Sequence, residues 1–462
     1  MSNVLGLVIT DGVGFRNFVL SRFLEVASKE FDEVIILSCL PASIYKQHTT
    51  CRVIELDVFN ENYFTWFFRK AKEVAHLKLH AKGNLGIQDN LKTNTSKLKT
   101  TRGYGTRLIY RFTHFFHSEK TILKLQSLQN KTFRSHKVTR SYMEILKSEG
   151  VDLLFFTHQR PPYIAPIVYA AQQLKVKTAA FVFSWDNLAS KGRMASNFDY
   201  YLVWSDLMKQ DLLKYYSSVL AESVAIVGTP QFEPYIMPEY KMQVEEFYQL
   251  FDINTDLKTI CFSCGDSSTS KNDELYIETI ADAIKHNKIP QVNFVVRTSP
   301  AEDSERFSEL VNRYPFIRWH FPKWEQTRSV HQESWSQRIP TTRDLKELRG
   351  LLEYSDININ MLSTMSLDFM LFNKPVINTV FGNASNGLYN DQRFLGYEHI
   401  IHVLNSKATQ VVTTASDLLL AIVNYLENDN DTSHRANLIS QQVGVDLKNT
   451  SDTVVNTLKQ WV

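Results

Sequence analysis

The feature that most constrains this chain is a rhythm that runs twice. Short apolar runs alternate with amphipathic stretches of helical period, and small polar residues sit at the joins. "VLGLVIT" passes through "DGVGF" into an amphipathic stretch from Arg16 to Lys29, which reads as strand, glycine turn and helix. "EVIILS", "CRVIELDVF", "DLLFFTHQ", "KTAAFVFSWD", "YYLVWS" and "SVAIVGTP" follow as strands. Between them "PYIAPIVYAAQQLK" reads as a helix with proline near its start. A second series opens near Lys258 with "KTICFSCG", "QVNFVVRT" and "FIRWHF". It continues through the helix "TTRDLKELRGLLEYS", where Thr341 and Asp344 have capping-box spacing. Such alternation predicts α/β architecture with parallel sheets. The expectation is two Rossmann-like, doubly wound domains, spanning 1–229 and 230–430, with a C-terminal helix over 431–462. The tail from Ala415 to Val462 reads as two helices.

A chain of 462 residues allows two or three domains. Its aromatic content excludes a disordered chain. Four cysteines are few, and "CFSC" lies in a strand-like run, so Cys261 and Cys264 read as buried strand residues. No secretory n-region and no apolar run of about 20 residues is visible, which points to a cytoplasmic protein.

Charge is unevenly spread. From Arg69 to Lys147 there are 18 Lys and Arg against four acids, a local +14 in a chain of net +2. That is a footprint for an anionic partner. Within it, residues 80 to 106 are Lys/Thr-rich and lack apolar period, which predicts a mobile surface loop or insertion, and Glu119 to Lys147 reads as a basic helical stretch. A basic insertion at about 80–147 results.

In doubly wound sheets, ligands bind beyond the carboxyl ends of the strands. Several chemistry-bearing residues fall there. "DININMLSTMSLDFMLFNKPVI" places Ser363, Thr364 and Ser366 at a helix start and Asp368 one turn later. Hydroxyls beside exposed N–H groups suit phosphate, and the acid suits ribose hydroxyls. Simple capping explains the same residues equally well. Arg297 closes a strand and could pair with a diphosphate. The "CGDSSTS" turn offers Gly265 and Ser267. In the first half, Gly12, Gly14 and Arg16 follow the first strand. Asp186 follows another and could act as general base, with His158 as the alternative. No phosphate-loop motif, no Gly-x-Gly-x-x-Gly and no metal-spaced His/Cys cluster is present. No Asp-x-Asp follows a strand in the first half, so a metal-independent reaction without a cofactor is expected.

This order of elements resembles glycosyltransferases of the GT-B type. "LSTMSLDFMLFNKPVI" is similar to their donor motif of small hydroxyls, an acid, then Lys-Pro and a strand. The resemblance implies that Ser363, Thr364 and Ser366 hold a diphosphate and Asp368 the ribose, although the family more often has Glu there. From about residue 150 to 400 the motif order looks nearest to the CDP-glycerol glycerophosphotransferase branch. "FSWDNLASKG" has that branch's Trp-His-Gly and Lys-Gly layout, with Asp186 and Asn187 for His and Gly, and with Lys191 retained. "VAIVGTPQFEPY" resembles its Gly-x-Pro-Arg-x-Asp turn, with Gln231 for Arg. The branch's His is taken as its base, so Asp186 in its place argues for sugar transfer.

The resulting expectation is an inverting glycosyltransferase in surface polysaccharide or glycolipid synthesis. Asp186 deprotonates an acceptor hydroxyl. Arg297, the turn at Gly265 and the Ser363–Ser366 helix start stabilise the nucleoside diphosphate. His158, Asn187, Lys191, Gly14 and Arg16 lie on the acceptor side. A saccharide or lipid-linked acceptor is implied, with the basic segment 69–147 at an anionic membrane's inner face. The alternatives are glycerophosphate transfer and a non-hydrolysing sugar-nucleotide 2-epimerase. Nucleic-acid binding is not expected, because the rest of the chain is acidic and has no recognisable module.

Overall fold

The structure is a computed structural model that describes residues 3–302, 304–329, 331, 333–382 and 391–462. The chain forms two compact units. The first comprises residues 1–233, 326–339 and 442–462; the second comprises 234–325 and 340–441.

The first unit is built on seven parallel strands: β1 (Val4–Ile9), β2 (Glu33–Ser38), β3 (Arg52–Glu55), β4 (Leu153–Phe156), β5 (Lys177–Phe181), β6 (Tyr200–Val203) and β7 (Val224–Ile226). Their order is β3-β2-β1-β4-β5-β6-β7. β1 and β4 are apolar throughout and buried at every position, as a central parallel strand covered on both faces requires. The helices α1 (Gly12–Phe18) and α2 (Phe23–Glu30) follow β1. Phe18 of α1 packs edge-on against Phe155 and Phe181 at ring separations of 5.2 and 5.4 Å.

Between β3 and β4 the chain makes a helical insertion: α3 (Tyr63–His80), α4 (Leu85–Thr93), α5 (Thr101–Phe115), α6 (Glu119–Phe133) and α7 (Lys137–Ser148). It has a core of its own, with Trp66, Val74, Ile109, Ile122 and Leu125. The loop expected over 80–106 is therefore largely helical. Asn84 caps α4 by accepting from the Ile87 N–H, and Thr100 caps α5 by accepting from the Gly103 N–H. The apolar period is weak because α5 meets α3 through glycine. A Cβ on Gly105 would lie 2.7 Å from the Tyr63 hydroxyl and 3.0 Å from the Trp66 ring. The basic helical stretch expected over Glu119–Lys147 is formed by two helices, broken at 134–136.

Further helices of this unit are α8 (Ala165–Leu174), α9 (Asn187–Ser190) and α10 (Asp206–Tyr215). The last 21 residues group with it as well. There Gly444, at φ +78°, lies where a Cβ would be 2.2 Å from the Trp204 carbonyl oxygen.

The second unit has six parallel strands: β8 (Thr259–Ser263), β9 (Asn293–Arg297), β10 (Arg318–His320), β13 (Ile357–Asn360), β14 (Val376–Thr379) and β15 (Gln410–Val412). Two short strands, β11 (Trp324–Gln326) and β12 (Arg338–Pro340), flank the segment that groups with the first unit. The order β10-β9-β8-β13-β14-β15 repeats the winding of the first sheet. Its helices are α11 (Val244–Phe251), α12 (Asp273–Lys285), α13 (Ser308–Arg313), α14 (Thr342–Tyr354), α15 (Met365–Leu371), α16 (Glu398–Ser406), α17 (Ala415–Glu427) and most of α18 (Thr432–Val443). With α19 (Thr450–Lys459) the tail holds three helices where two were expected.

Candidate functional site

Each sheet has one switch point, where successive crossovers leave in opposite directions and the strand ends open a crevice. In the first sheet it lies between β1 and β4, and in the second between β8 and β13. The loops there carry most of the residues marked by the sequence.

At the first switch point, β1 runs into Thr10 and Asp11. The Asp11 carboxylate caps α1, accepting from the Gly14 N–H at 2.8 Å. Its other oxygen accepts from the Thr10 hydroxyl and faces His158 Nδ1, both at 2.8 Å. His158 stands in the loop after β4 and stacks on Phe183 after β5, with ring centroids 4.0 Å apart and 17° between planes. Gly14 must be glycine because a Cβ would lie 2.5 Å from the Thr157 hydroxyl. Gly12 admits the 326–339 segment, since its Cβ would fall 1.6 Å from the Arg338 carbonyl oxygen.

Burial pushes the Asp11 carboxyl up, but His158, the Gly14 N–H and Thr10 together bring it below the usual carboxylate value. Burial holds His158 below the ordinary histidine value, against the opposing pull of Asp11. The stable pairing is thus an ionised Asp11 and a neutral imidazole. An ionised carboxylate only accepts, so the shared proton sits on Nδ1 and the lone pair on Nε2. Nε2 is buried and has no hydrogen-bond partner among the described residues. This is the arrangement of a general base aimed by a carboxylate.

Asp186 lies one loop further along the sheet, joined to His158's loop through Gln159. Gln159 donates to Asn187 at 3.1 Å and accepts from the Phe183 N–H at 3.1 Å. One Asp186 oxygen takes the Asn187 amide at 3.1 Å, and the other lies 3.5 Å from the Lys191 ammonium. Arg16 is buried, with a guanidinium nitrogen 3.3 Å from the Asn17 side-chain oxygen. Sequence reasoning missed Asp11. Its signal was an acid directly after an apolar strand and directly before a Gly-x-Gly turn.

The second switch point is built differently. Asn358 and Asn360 alternate with isoleucines in "ININ", so both amides share one face of β13. Asn358 donates to the Cys261 carbonyl and the Ser263 hydroxyl of β8 at 3.0 and 2.9 Å. Asn360 donates to Asn358 at 2.6 Å, and Asn378 of β14 donates to Asn360 at 3.0 Å. The side-chain oxygen of Asn360 also accepts the Ser363 N–H at 2.8 Å and the Ser366 hydroxyl at 3.2 Å. A buried ladder of amides therefore fixes the turn that begins α15. Leu362 in that turn holds φ at +50°, a costly conformation for a branched residue that a surrounding network must impose.

The four residues expected at this helix start divide. Ser363 and Thr364 are half-buried, whereas Ser366 turns into the amide ladder and is buried. Asp368 is also buried and accepts from the Tyr235 hydroxyl. In the neighbouring turn the Gly265 N–H donates to Asp273 at 2.9 Å, and the Ser267 N–H donates to Glu302. Burial pushes the Asp273 carboxyl up to about 8.

Arg297 is buried in an ion pair with Asp344 at 3.1 Å, and it also contacts His320 at 2.7 Å. The cation expected to await a diphosphate is thus neutralised inside its own unit. Thr341 caps α14 through the Asp344 N–H at 3.1 Å. Asp344 does not return the expected capping-box bond, because its carboxylate serves Arg297, the Lys323 N–H and the Trp324 ring N–H.

All four cysteines are free thiols, and burial pushes Cys261 up to about 12. Among the described residues no three His, Cys, Asp or Glu side chains gather to hold a metal ion.

Two doubly wound parallel sheets of identical winding place this chain in the GT-B class of fold. Solved structures of similar fold include UDP-GlcNAc 2-epimerase from Neisseria meningitidis bound to UDP-GlcNAc, at 11% identity and TM-score 0.52, covering 99% of this chain and 100% of that one. The S. aureus MnaA–UDP co-structure matches at 11% identity and TM-score 0.54, covering 99% and 96%. A glycosyltransferase from Rickettsia africae matches at 13% identity and TM-score 0.52, covering 99% and 98%. No protein-family model and no curated protein matches the sequence.

Proposed function

We propose that this chain is a nucleotide-sugar-dependent glycosyltransferase in which His158, oriented by Asp11, is the base. One observation carries the reading: a buried Asp–His pair at a strand switch point, whose second ring nitrogen is buried with no hydrogen-bond partner among the described residues. His158 Nε2 takes the proton of an acceptor hydroxyl as its oxygen bonds to the anomeric carbon. The bond from that carbon to phosphate breaks, and its electron pair leaves with the nucleoside diphosphate. Attack opposite the leaving group inverts the anomeric centre. Asp186 is the second candidate for the base; its oxygens already serve Asn187 and Lys191.

The donor falls to the second unit. The half-buried Ser363 and Thr364 of its switch-point turn would hold the diphosphate, with Asp368 beside the ribose. Support comes from two fold neighbours whose structures contain UDP-GlcNAc or UDP. A metal-independent reaction, and an acceptor that is a saccharide or lipid-linked, complete the proposal.

The Neisseria meningitidis neighbour favours a second reading, an epimerase that acts on the sugar-nucleotide alone. A panel of UDP, GDP, CDP, CMP and dTDP tests donor binding by thermal shift. A ligand at about 100 times its Kd adds about 2.7 kcal/mol of stability. The matching nucleotide-sugar is then incubated with and without a hydroxyl acceptor. Release of nucleoside diphosphate only with acceptor supports transfer; conversion of the sugar without acceptor supports the epimerase. No shift from any nucleotide would overturn both.

A further inference from the structure

The helical insertion of the first unit presents a face that the reaction above does not use. On α5, Tyr104, Leu108, Phe112 and Phe115 follow one another at spacings of four, four and three, so they form a single stripe. All four are exposed, Phe115 to 77%, and so is Phe116 just beyond the helix. Phe112 and Phe116 stack on each other, 5.1 Å between centroids. The opposite face of the same helix, with Gly103, Gly105, Ile109 and Thr113, is the one that packs inward. A helix that is apolar on both sides in a water-facing position points to a second apolar partner.

The charge around the stripe has one sign. From Lys92 to Arg140 there are 12 Lys and Arg and one acid, Glu119. That acid is occupied by Arg193 at 2.7 Å. Lys97, Lys99, Arg111, Lys120 and Lys124 are exposed and make no ion pair among the described residues. Beside α5, Tyr63, Phe64, Phe68 and Leu128 line an open apolar groove of about 720 Å³, which also takes in Lys131. Tyr63 joins groove and helix, since its hydroxyl lies against Gly105 of α5. No helix among the described residues is long and apolar enough to cross a membrane.

We propose that α5 and its basic flanks are a docking surface for an anionic lipid bilayer, with the aromatic stripe in the interfacial region. Aromatic and leucine side chains on one face and unpaired cations beside them are the chemistry of a helix lying in a headgroup layer. A second copy of this chain fits poorly, because two such faces would bring like charges together. The groove lined by Tyr63 and Leu128 is sized to take part of an acyl or polyprenyl chain.

Vesicle binding needs neither donor nor acceptor, so it is read independently of the reaction. The full chain is co-sedimented with phosphatidylcholine vesicles, with and without about one-third phosphatidylglycerol. Leu108→Trp serves as a reporter. The expected result is binding to the anionic vesicles alone, weakened by salt, with a blue shift of the new tryptophan. The triple variant Lys97→Glu/Lys99→Glu/Lys124→Glu should weaken binding a hundredfold or more, at about fivefold per cation. Phe112→Ser/Phe115→Ser should weaken it about tenfold or more at any salt. Both variants change exposed residues, so their melting midpoints should match the parent protein. Absence of vesicle binding would overturn the proposal, as would unchanged binding in both variants. Self-association that Phe112→Ser/Phe115→Ser abolishes, without vesicle binding, would overturn it too and mark a protein interface.

Discussion

The two switch points share one winding and differ in what fills them. At β1/β4 the loops bring together a carboxylate and an imidazole whose second nitrogen is buried without a hydrogen-bond partner among the described residues. At β8/β13 the polar groups are turned inward, into a ladder of asparagines that holds a turn in a strained shape. The first arrangement is suited to taking up a proton; the second fixes the shape of a turn. Identical topology therefore supplies the place but not the chemistry, which depends on whether polar side chains are all spent on one another or one is left without a partner.

Substitution tests the contrast most sharply at the first point. His158→Gln should lower turnover about a thousandfold, the scale of a lost general base. The thermal shift given by a bound nucleotide should persist. In the parent protein the acid limb of kcat/KM should fall below 6.5, because burial depresses His158. If Asp186→Asn proves fatal and His158→Gln mild, the base assignment passes to Asp186.

At the second point the largest effect should be on stability. Asn360→Ala strands the Ser363 N–H and the Asn378 amide in a buried site, which should cost about 3 kcal/mol in denaturant titration. A cost under about 1 kcal/mol would show that water replaces the ladder and that the turn is not held by it.

The smallest effect concerns Asp273. Its folded value near 8 lies above the unfolded 3.8. Its contribution to stability is thus fully present below the unfolded value and is lost as pH rises through about 8. Asp273→Asn should therefore stabilise the protein by about 2 kcal/mol at alkaline pH, with the gain fading toward pH 4. A gain that did not vary with pH would mean that Asp273 is ionised throughout.

Much of this was legible in the residues. Continuous apolar runs such as "DLLFFT" and "VLGLVIT" fixed the strands, because a central parallel strand is buried on both faces. The loops after them could be named as sites for the same reason, which is how His158, Gly14, Gly265 and Ser363 were marked. The helices α4 and α5 were not legible. On α5, glycine at the packing contact and aromatics on the exposed face erase the apolar period on which such a reading depends, and α4 is short and mostly polar.

The sequence alone determined the two-fold α/β winding, since local hydrophobic period is written residue by residue. Partnership was decided by the tertiary structure. Asp11 meets His158 across 147 positions, and Arg297 meets Asp344 across 47. Whether a charge is free to act or already matched depends on which distant side chain the fold brings within about 3 Å, and no local pattern in a sequence records that distance.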